Sequence, residues 1–466
     1  MMNLKNKTKL IVTFGPSLDK LLKININNIE SLNRSELFNE YNKLVNAGVN
    51  VFRFNMSHDN IKNHEIRFNL LRECNSQCSI KSGILIDTKG PEIRVQNIQN
   101  NDLTNNIIYK NDLVEILCNE PNYCGNAKRF SVSDSTHKYH LSNDVNIGDE
   151  IMIDDGKLIL KIKNIDREKQ IISAISLSDN YQIKTYKRIN LFNKKYSLPF
   201  LSEYDIETIR KAVIWDADFL ALSFVSNLEQ INEVKKIIKE INPNSKIKII
   251  AKIETYEALE NLESIIKNTH GAMVARGDLA LEIGWHKTTY YQDQIVNICN
   301  KYKKISIVAT QMLDSLERQL IPTRAEVTDC YYATKILTDS TMLSGESASG
   351  IDPFNAILAM KKICEFAFDT MKPNIKLKFI ENIYLKLIYF KINNKQNVIL
   401  KNFSEDEIRL ITKKILHTNF YLESNDFENF SKLTLYSNLS IINKLKNDYY
   451  ILDKKNIKLL KIFDKI

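Results

Sequence analysis

Glycine is scarce in this chain: 12 of 466 residues, with none after Gly350, where ordinary composition gives about 7%. Each remaining glycine therefore asks for a structural reason. No apolar run approaches the roughly 18–20 residues that a membrane span needs, which argues against a helical membrane protein. The first stretch, MMNLKNKTKLIVTFGP, has no apolar region ahead of a small-residue cleavage site, and residues from Lys9 onward read as a core strand. No removable presequence is expected. The seven cysteines (74, 78, 118, 124, 299, 330, 364) include no CxxC pair. An odd number without a spacing framework argues against a disulfide scaffold and for reduced thiols in a cytoplasmic setting. The net charge is +9, yet the cations form neither a basic tail nor an aromatic–basic nucleic-acid module. The excess points instead to anionic small substrates.

What is present is a repeated unit. The apolar fraction of 44% and charged fraction of 26% are those of a globular protein, and the length suits two to four domains with one large core. Short β-branched runs end in polar residues and are followed by amphipathic helical patterns. The strands read as 9–16, 50–57, 83–90, 218–226, 246–255, 271–278, 305–312 and 340–347. Helices read as 36–47, 60–73, 203–214, 227–240, 256–268, 287–303, 323–337 and 353–369. Eight such units predict a parallel (β/α)8 barrel in an α/β protein, with a doubly wound open sheet as the alternative. Between the third and fourth strands, residues 91–188 change texture to short alternating segments such as DLVEIL and KLILKIK with Asn, Asp and Gly turns. They predict a small antiparallel β domain inserted between barrel residues 1–90 and 189–369. A third region, 370–466, is rich in Lys, Asn, Ile and Leu and keeps a strand–turn–helix rhythm in LTLYSNLSIINKL.

In such barrels chemistry gathers at the carboxyl ends of the strands. Those ends carry Arg53, Asn55 and Ser57; Asp87, Thr88 and Lys89; Ser223; Lys252 and Glu254; Asp278; and Thr310. Each has a bland reading, as an ion pair, helix cap or local hydroxyl bond, but all converge on one barrel mouth. In IIAKIET, Lys252 and Glu254 are two residues apart and share one side of a strand. Glu254 and Asp278 supply two carboxylates from neighbouring strands, the usual protein share for Mg²⁺. Lys252 beside them would offset charge on a moving phosphoryl group or an enolate. In ARGDLA, backbone N–H groups of the segment after the strand could hold a substrate carboxylate. The hard oxygens of Asn55, Ser57, Asp87 and Thr88 suit an alkali or alkaline-earth cation rather than zinc.

The motifs TKLIVTFGPS, NVFRFNMSH, ILIDTKGPEIR, IMIDDGKL, LSFVSN, IIAKIET, MVARGDLALEI, VATQMLDSL, PTRAEVTD and MLSGESASG, in this order over about residues 8–365, resemble the pyruvate kinase family. The resemblance implies phosphoryl transfer from phosphoenolpyruvate to ADP, giving pyruvate and ATP. It implies a catalytic barrel with a β-barrel lid, a C-terminal α/β domain and a cytoplasmic homotetramer. It assigns Lys252 to the transition state, Arg53 to the phosphate, and Glu254 and Asp278 to Mg²⁺ or Mn²⁺. Ser223, Gly277, Asp278 and Thr310 would meet the substrate, with Thr310 on the side where the enolate is protonated. Asn55, His58, Arg94 and Lys187 would contact the nucleotide, and Asn55, Ser57, Asp87 and Thr88 would hold K⁺. Glu92 in GPEIR resembles the potassium-dependent members. Two departures stand out. RINLF at 188–192 replaces the family's usual GVNLP, and the C-terminal region has no recognisable loop for a phosphorylated effector, so loss of activation by fructose 1,6-bisphosphate is expected.

Overall fold

Strands that are apolar on both faces can be satisfied only where both faces are covered, as in a parallel sheet wrapped by helices. The computed structural model describes residues 8–99, 106–371, 397–401, 403–414, 419–423, 439–442 and 450–453. In it the eight runs become β1 (Lys9–Thr13), β2 (Val49–Asn55), β3 (Gly83–Asp87), β4 (Phe219–Leu222), β5 (Lys248–Ile253), β6 (Gly271–Ala275), β7 (Ile305–Ala309) and β8 (Ser340–Leu343). They pair in consecutive parallel order and close, β1 bonding to both β2 and β8, so the open doubly wound sheet is excluded. Every residue of β1, β3, β6 and β7 is buried.

Each strand stops two to four residues before the end that its apolar pattern suggests, because the chain must leave the sheet to start the next helix. Pro16, read as strand, instead opens a short helix, Pro16–Leu21, where its missing N–H costs nothing. The expected helix 256–268 is two, Tyr256–Glu260 and Leu262–Asn268. They part at Asn261, whose side-chain amide donates to the Ser226 and Glu257 carbonyls. Helix starts are marked by capping boxes at Ser202/Asp205 and Thr323/Glu326.

The inserted segment forms a second closed barrel of seven strands lying within 93–191. Its strand Leu158–Asp166 buries Leu158, Leu160 and Ile162 in alternation with exposed or half-buried residues. Against expectation the barrel is not wholly antiparallel: Leu113–Cys118 and Arg129–Ser133 run parallel. Its last strand, Arg188–Leu191, pairs with both Ile93–Val95 and Glu150–Ile153.

Beyond the barrel, four parallel strands are ordered Leu439–Ile442, Asn419–Glu423, Asn397–Lys401, Tyr450–Asp453, with a helix Glu405–Lys414. The segment LTLYSNLSIINKL contributes the strand Leu439–Ile442; its residues 433–438 and 443–445 lie outside the described residues, so the expected absence of an effector loop there has no structural description. That helix carries Arg409, whose guanidinium reaches Asp339, just ahead of β8, at 2.8 Å. All seven cysteines are free thiols. Among the described residues no helix is long and apolar enough to cross a membrane.

Candidate active site

Because the strands end early, most of the polar residues of the barrel mouth ride on the loops just beyond them. Ser57, Thr88, Ser223, Glu254, Asp278 and Thr310 all lie past their strands, while Arg53, Asn55, Asp87 and Lys252 occupy strand ends. They surround a cavity of about 1030 Å³ between the two barrels. Arg53, Asn55, Ser57, His58, Arg94, Lys187, Ser223, Lys252, Glu254, Asp278 and Thr310 line it. Asp87, Thr88 and Gly277 stand behind that wall and act on residues that form it.

Lys252 is the centre of the charge arrangement. Its Nζ donates to Ser223 Oγ at 2.7 Å and lies 3.2 Å from Asp87 Oδ1 and 3.1 Å from Glu254 Oε1. Burial works against the ammonium, but Asp87 and Glu254 outweigh it and hold its pKa above the ordinary value. Asp87 is fully buried, and its other oxygen accepts from Arg53 Nε at 2.7 Å. Burial pushes Asp87 up, but the two cations win and lower it. Arg53 is turned towards the cavity by a second bond, to Thr13 Oγ1 at 2.8 Å.

The carboxylate pair is less saturated. Glu254 accepts from the Phe224 backbone N–H at 2.7 Å and is pushed up to about 7 by burial, with Lys252 opposing. Asp278, in the first turn of the helix Arg276–Ile283, is also raised by burial, with Arg188 and Lys252 opposing. Among the described residues no group of three or more His, Cys, Asp or Glu is placed to hold a metal ion. Two hard carboxylates facing a large cavity fit Mg²⁺ or Mn²⁺, which takes its other ligands from water and substrate, and do not fit a closed zinc site.

On the other side, Asn55 and Asp87 are direct register partners on β2 and β3. Asn55 Oδ1 accepts from the Ser57 N–H, and Thr88 Oγ1 from the Ser223 N–H. Of the four residues expected for a monovalent cation, Asn55 and Asp87 are thus adjacent, Ser57 lines the cavity beside Asn55, and the Thr88 hydroxyl is turned to Ser223. Thr310 bonds its hydroxyl to the Gly277 N–H at 2.8 Å and to the Ala309 carbonyl at 2.7 Å. It does so at φ +65°, with Gln311 at +51° and Phe224 at +56°, conformations that cost non-glycine residues about 1–3 kcal/mol each and gather at functional sites. Gly90 answers the question its scarcity raised: at φ +74° a Cβ would come within 2.6 Å of the Ser223 Cβ.

The second barrel supplies the roof. Arg94 is held by Glu92 at 2.6 Å and by the Tyr186 carbonyl, and Lys187 by Asp154 at 2.8 Å. His58 is lowered by burial and by Arg53 and Arg94. Two residues not singled out at the sequence level, Arg276 and Phe224, and one noted there only as a departure also shape the site. Arg276 ties Asp329, at 2.6 Å, to the Thr310 carbonyl, at 2.8 Å, fixing the strained turn. Phe224 aims its N–H at Glu254 from a positive φ that no propensity announces. Arg188, noted only as a departure, reaches Asp278 at 2.6 Å.

Comparison with known proteins bears on the family and the fold. The family model described as pyruvate kinase, barrel domain, matches residues 5–357. A pyruvate kinase of Mycoplasma genitalium is 40% identical over 360 residues, covering 77% of this chain and 70% of that protein. One of Staphylococcus aureus is 36% identical over 357 residues, but the match covers only 56% of its length. The crystal structure of a pyruvate kinase from Cryptosporidium parvum superposes with a TM-score of 0.79 at 28% identity, covering 96% of this chain and 87% of that one. The family model covers most of the chain and the Mycoplasma relative is covered over more than two thirds of its length, and the chain belongs to the pyruvate kinase family.

Proposed function

We infer that this chain transfers the phosphoryl group of phosphoenolpyruvate to ADP, giving pyruvate and ATP. The observation that carries the reading is Lys252, an ammonium kept charged in a buried site by Asp87 and Glu254 and facing the cavity shared with Asp278. In the reaction a β-phosphate oxygen of ADP bonds to phosphorus as the bond from phosphorus to the enol oxygen breaks, and the enolate carbon then takes a proton. Lys252 and Arg53 offset the charge on the phosphoryl oxygens, and a preorganised donor of this kind is worth about 10²–10³ in rate. Ser223, bonded to Lys252, keeps the ammonium aimed. Thr310 positions the three-carbon unit on the face where carbon is protonated; Gly277, expected to meet the substrate, instead spends its N–H on the Thr310 hydroxyl and acts through it. Asn55, His58, Arg94 and Lys187 hold the nucleotide between the two barrels, and the second barrel excludes water as a lid.

Glu254 and Asp278 would hold Mg²⁺ or Mn²⁺, which supplies positive charge to the phosphate oxygens. Asn55, Ser57, Asp87 and Thr88 would hold K⁺. A cytoplasmic homotetramer is proposed on the family resemblance alone. Insensitivity to fructose 1,6-bisphosphate is proposed on the missing effector motif. The test is pyruvate release from phosphoenolpyruvate and ADP with Mg²⁺, with and without K⁺, then with fructose 1,6-bisphosphate added. Potassium-dependent turnover indifferent to the sugar phosphate is expected. A sigmoidal substrate response relieved by the sugar phosphate overturns the regulatory part, and no turnover from folded protein would favour a non-catalytic scaffold.

A further inference from the structure

Arg188 is a cation where the site is built to receive another cation. It opens the last strand of the lid barrel, yet its guanidinium leaves that barrel and lies 2.6 Å from Asp278 Oδ1 on the catalytic barrel. A second carboxylate, Glu92 Oε1, is 3.8 Å from the same nitrogen. Burial works against the guanidinium charge, and Asp278, Glu92, Glu254 and Asp155 outweigh burial and favour the charged form. Its neighbour Lys187 is turned to Asp154 and does not share this contact. The guanidinium also lies over the Phe224 ring, 5.8 Å from its centroid, and Phe224 is the residue whose N–H holds Glu254. One side chain therefore touches both the metal-binding aspartate and the support of the metal-binding glutamate.

We propose that Arg188 is a built-in stand-in for the divalent metal: it occupies Asp278 when no metal is bound and swings to Glu92 when a metal enters. The inference rests on the reading that Glu254 and Asp278 hold the divalent ion. The same carboxylate oxygen cannot serve a close guanidinium and a metal at full strength, because the two cations repel each other and share its negative charge. The backbone does not need to move. Just downstream, Asn193 N–H is bonded to the Glu282 carbonyl, and Tyr196 bonds both the Leu191 N–H and the Glu282 carboxylate, pinning this end of the strand to the catalytic barrel. The exchange from Asp278 to Glu92 is a side-chain rotation within the lid–barrel seam. Metal entry thereby breaks one lid–barrel ion pair and returns Arg188 to its own barrel, coupling metal occupancy to the lid.

The experiment is a titration of metal-free protein with Mn²⁺, free ion read by electron paramagnetic resonance, without substrates. Arg188→Gln removes the competing charge and is expected to tighten Mn²⁺ binding about tenfold. Arg188→Lys keeps a charge and is expected to fall between the two. Arg188→Gly serves the same purpose as Arg188→Gln if the latter does not fold. Asp278→Asn is the control and weakens Mn²⁺ binding sharply. Unchanged or weaker Mn²⁺ binding in both uncharged variants overturns the stand-in role, while leaving the carboxylate reading intact if Asp278→Asn still weakens it. Undiminished binding in Asp278→Asn overturns the carboxylate reading itself.

Discussion

The two ends of the central barrel both bury charge, and they dispose of it differently. At the amino ends of the strands, Asp218 accepts from the Ile84 N–H at 2.8 Å and pairs with Arg72 at 3.0 Å. Asp339 accepts from the Ser306 N–H and hydroxyl and from Arg409, a pair only 2% and 0% exposed. Each carboxylate there is matched by backbone and by an arginine of its own. At the carboxyl ends, one ammonium, Lys252, is shared between Asp87 and Glu254, and burial leaves Glu254 at about 7. Burying charge is costly unless it is fully compensated. At the amino end these two carboxylates are compensated by the protein; at the carboxyl end Asp87 also takes Arg53 and Asp278 takes Arg188, while Glu254 has, besides the Phe224 N–H, only the shared ammonium. A buried ion pair is thus not by itself a sign of function. What distinguishes the site is a carboxyl, Glu254, that burial raises to about 7, that shares its cation with Asp87 and that faces a cavity.

The comparison can be broken most severely at its catalytic end. Lys252→Met is expected to lower kcat by roughly 10³-fold or more while leaving Mn²⁺ binding largely intact; retention of more than a few per cent of turnover in a coupled pyruvate assay removes Lys252 from its role. At the opposite end, Asp339→Ala leaves Arg409 buried without its carboxylate and should cost about 3–5 kcal/mol in a denaturant titration. The specific activity of the protein that remains folded should not change. If turnover falls while stability holds, the division of labour between the ends is wrong.

A subtler measurement uses pH. Lys9, fully buried at the amino end, is pushed down from 10.5 to about 7 by burial. Between those values the unfolded chain carries a proton on Lys9 that the folded chain lacks, so stability should rise with pH across the window, by at most about 1.4 kcal/mol per unit. Below about 7 both states are protonated and the contribution is flat. Lys9→Met should abolish the rise, and an identical pH profile in the variant refutes this account. The smallest effect is expected at Glu92→Lys, which should lessen the stimulation by K⁺; an unchanged potassium requirement contradicts the reading of that position.

How much was legible depended on whether a feature is local. Apolar β-branched runs, each followed by an amphipathic helical pattern, and the return of that unit every few dozen residues gave the barrel and its eight strands. The lysine and glutamate of IIAKIET could be placed on one side because the strand period is two, and Lys252 and Glu254 do meet, at 3.1 Å. Strand ends were read too long, since the apolar pattern continues into loops that the catalytic barrel also buries, as at Val225 and Met312. Phe224 and Thr310 gave no sign of their positive φ, because neither is a residue type that favours it.

The sequence by itself determined that the chain forms an α/β barrel with an inserted β unit, and which carboxylates, lysine and hydroxyls gather at its mouth. Those properties follow from periodicity and from the rule that barrel chemistry lies at strand ends. Tertiary structure alone decided that Arg188 meets Asp278, that Arg409 meets Asp339 and that Arg276 braces the Thr310 turn. A pattern specifies which face of an element is buried, but a contact between residues dozens of positions apart is set only when both barrels are closed and seated together.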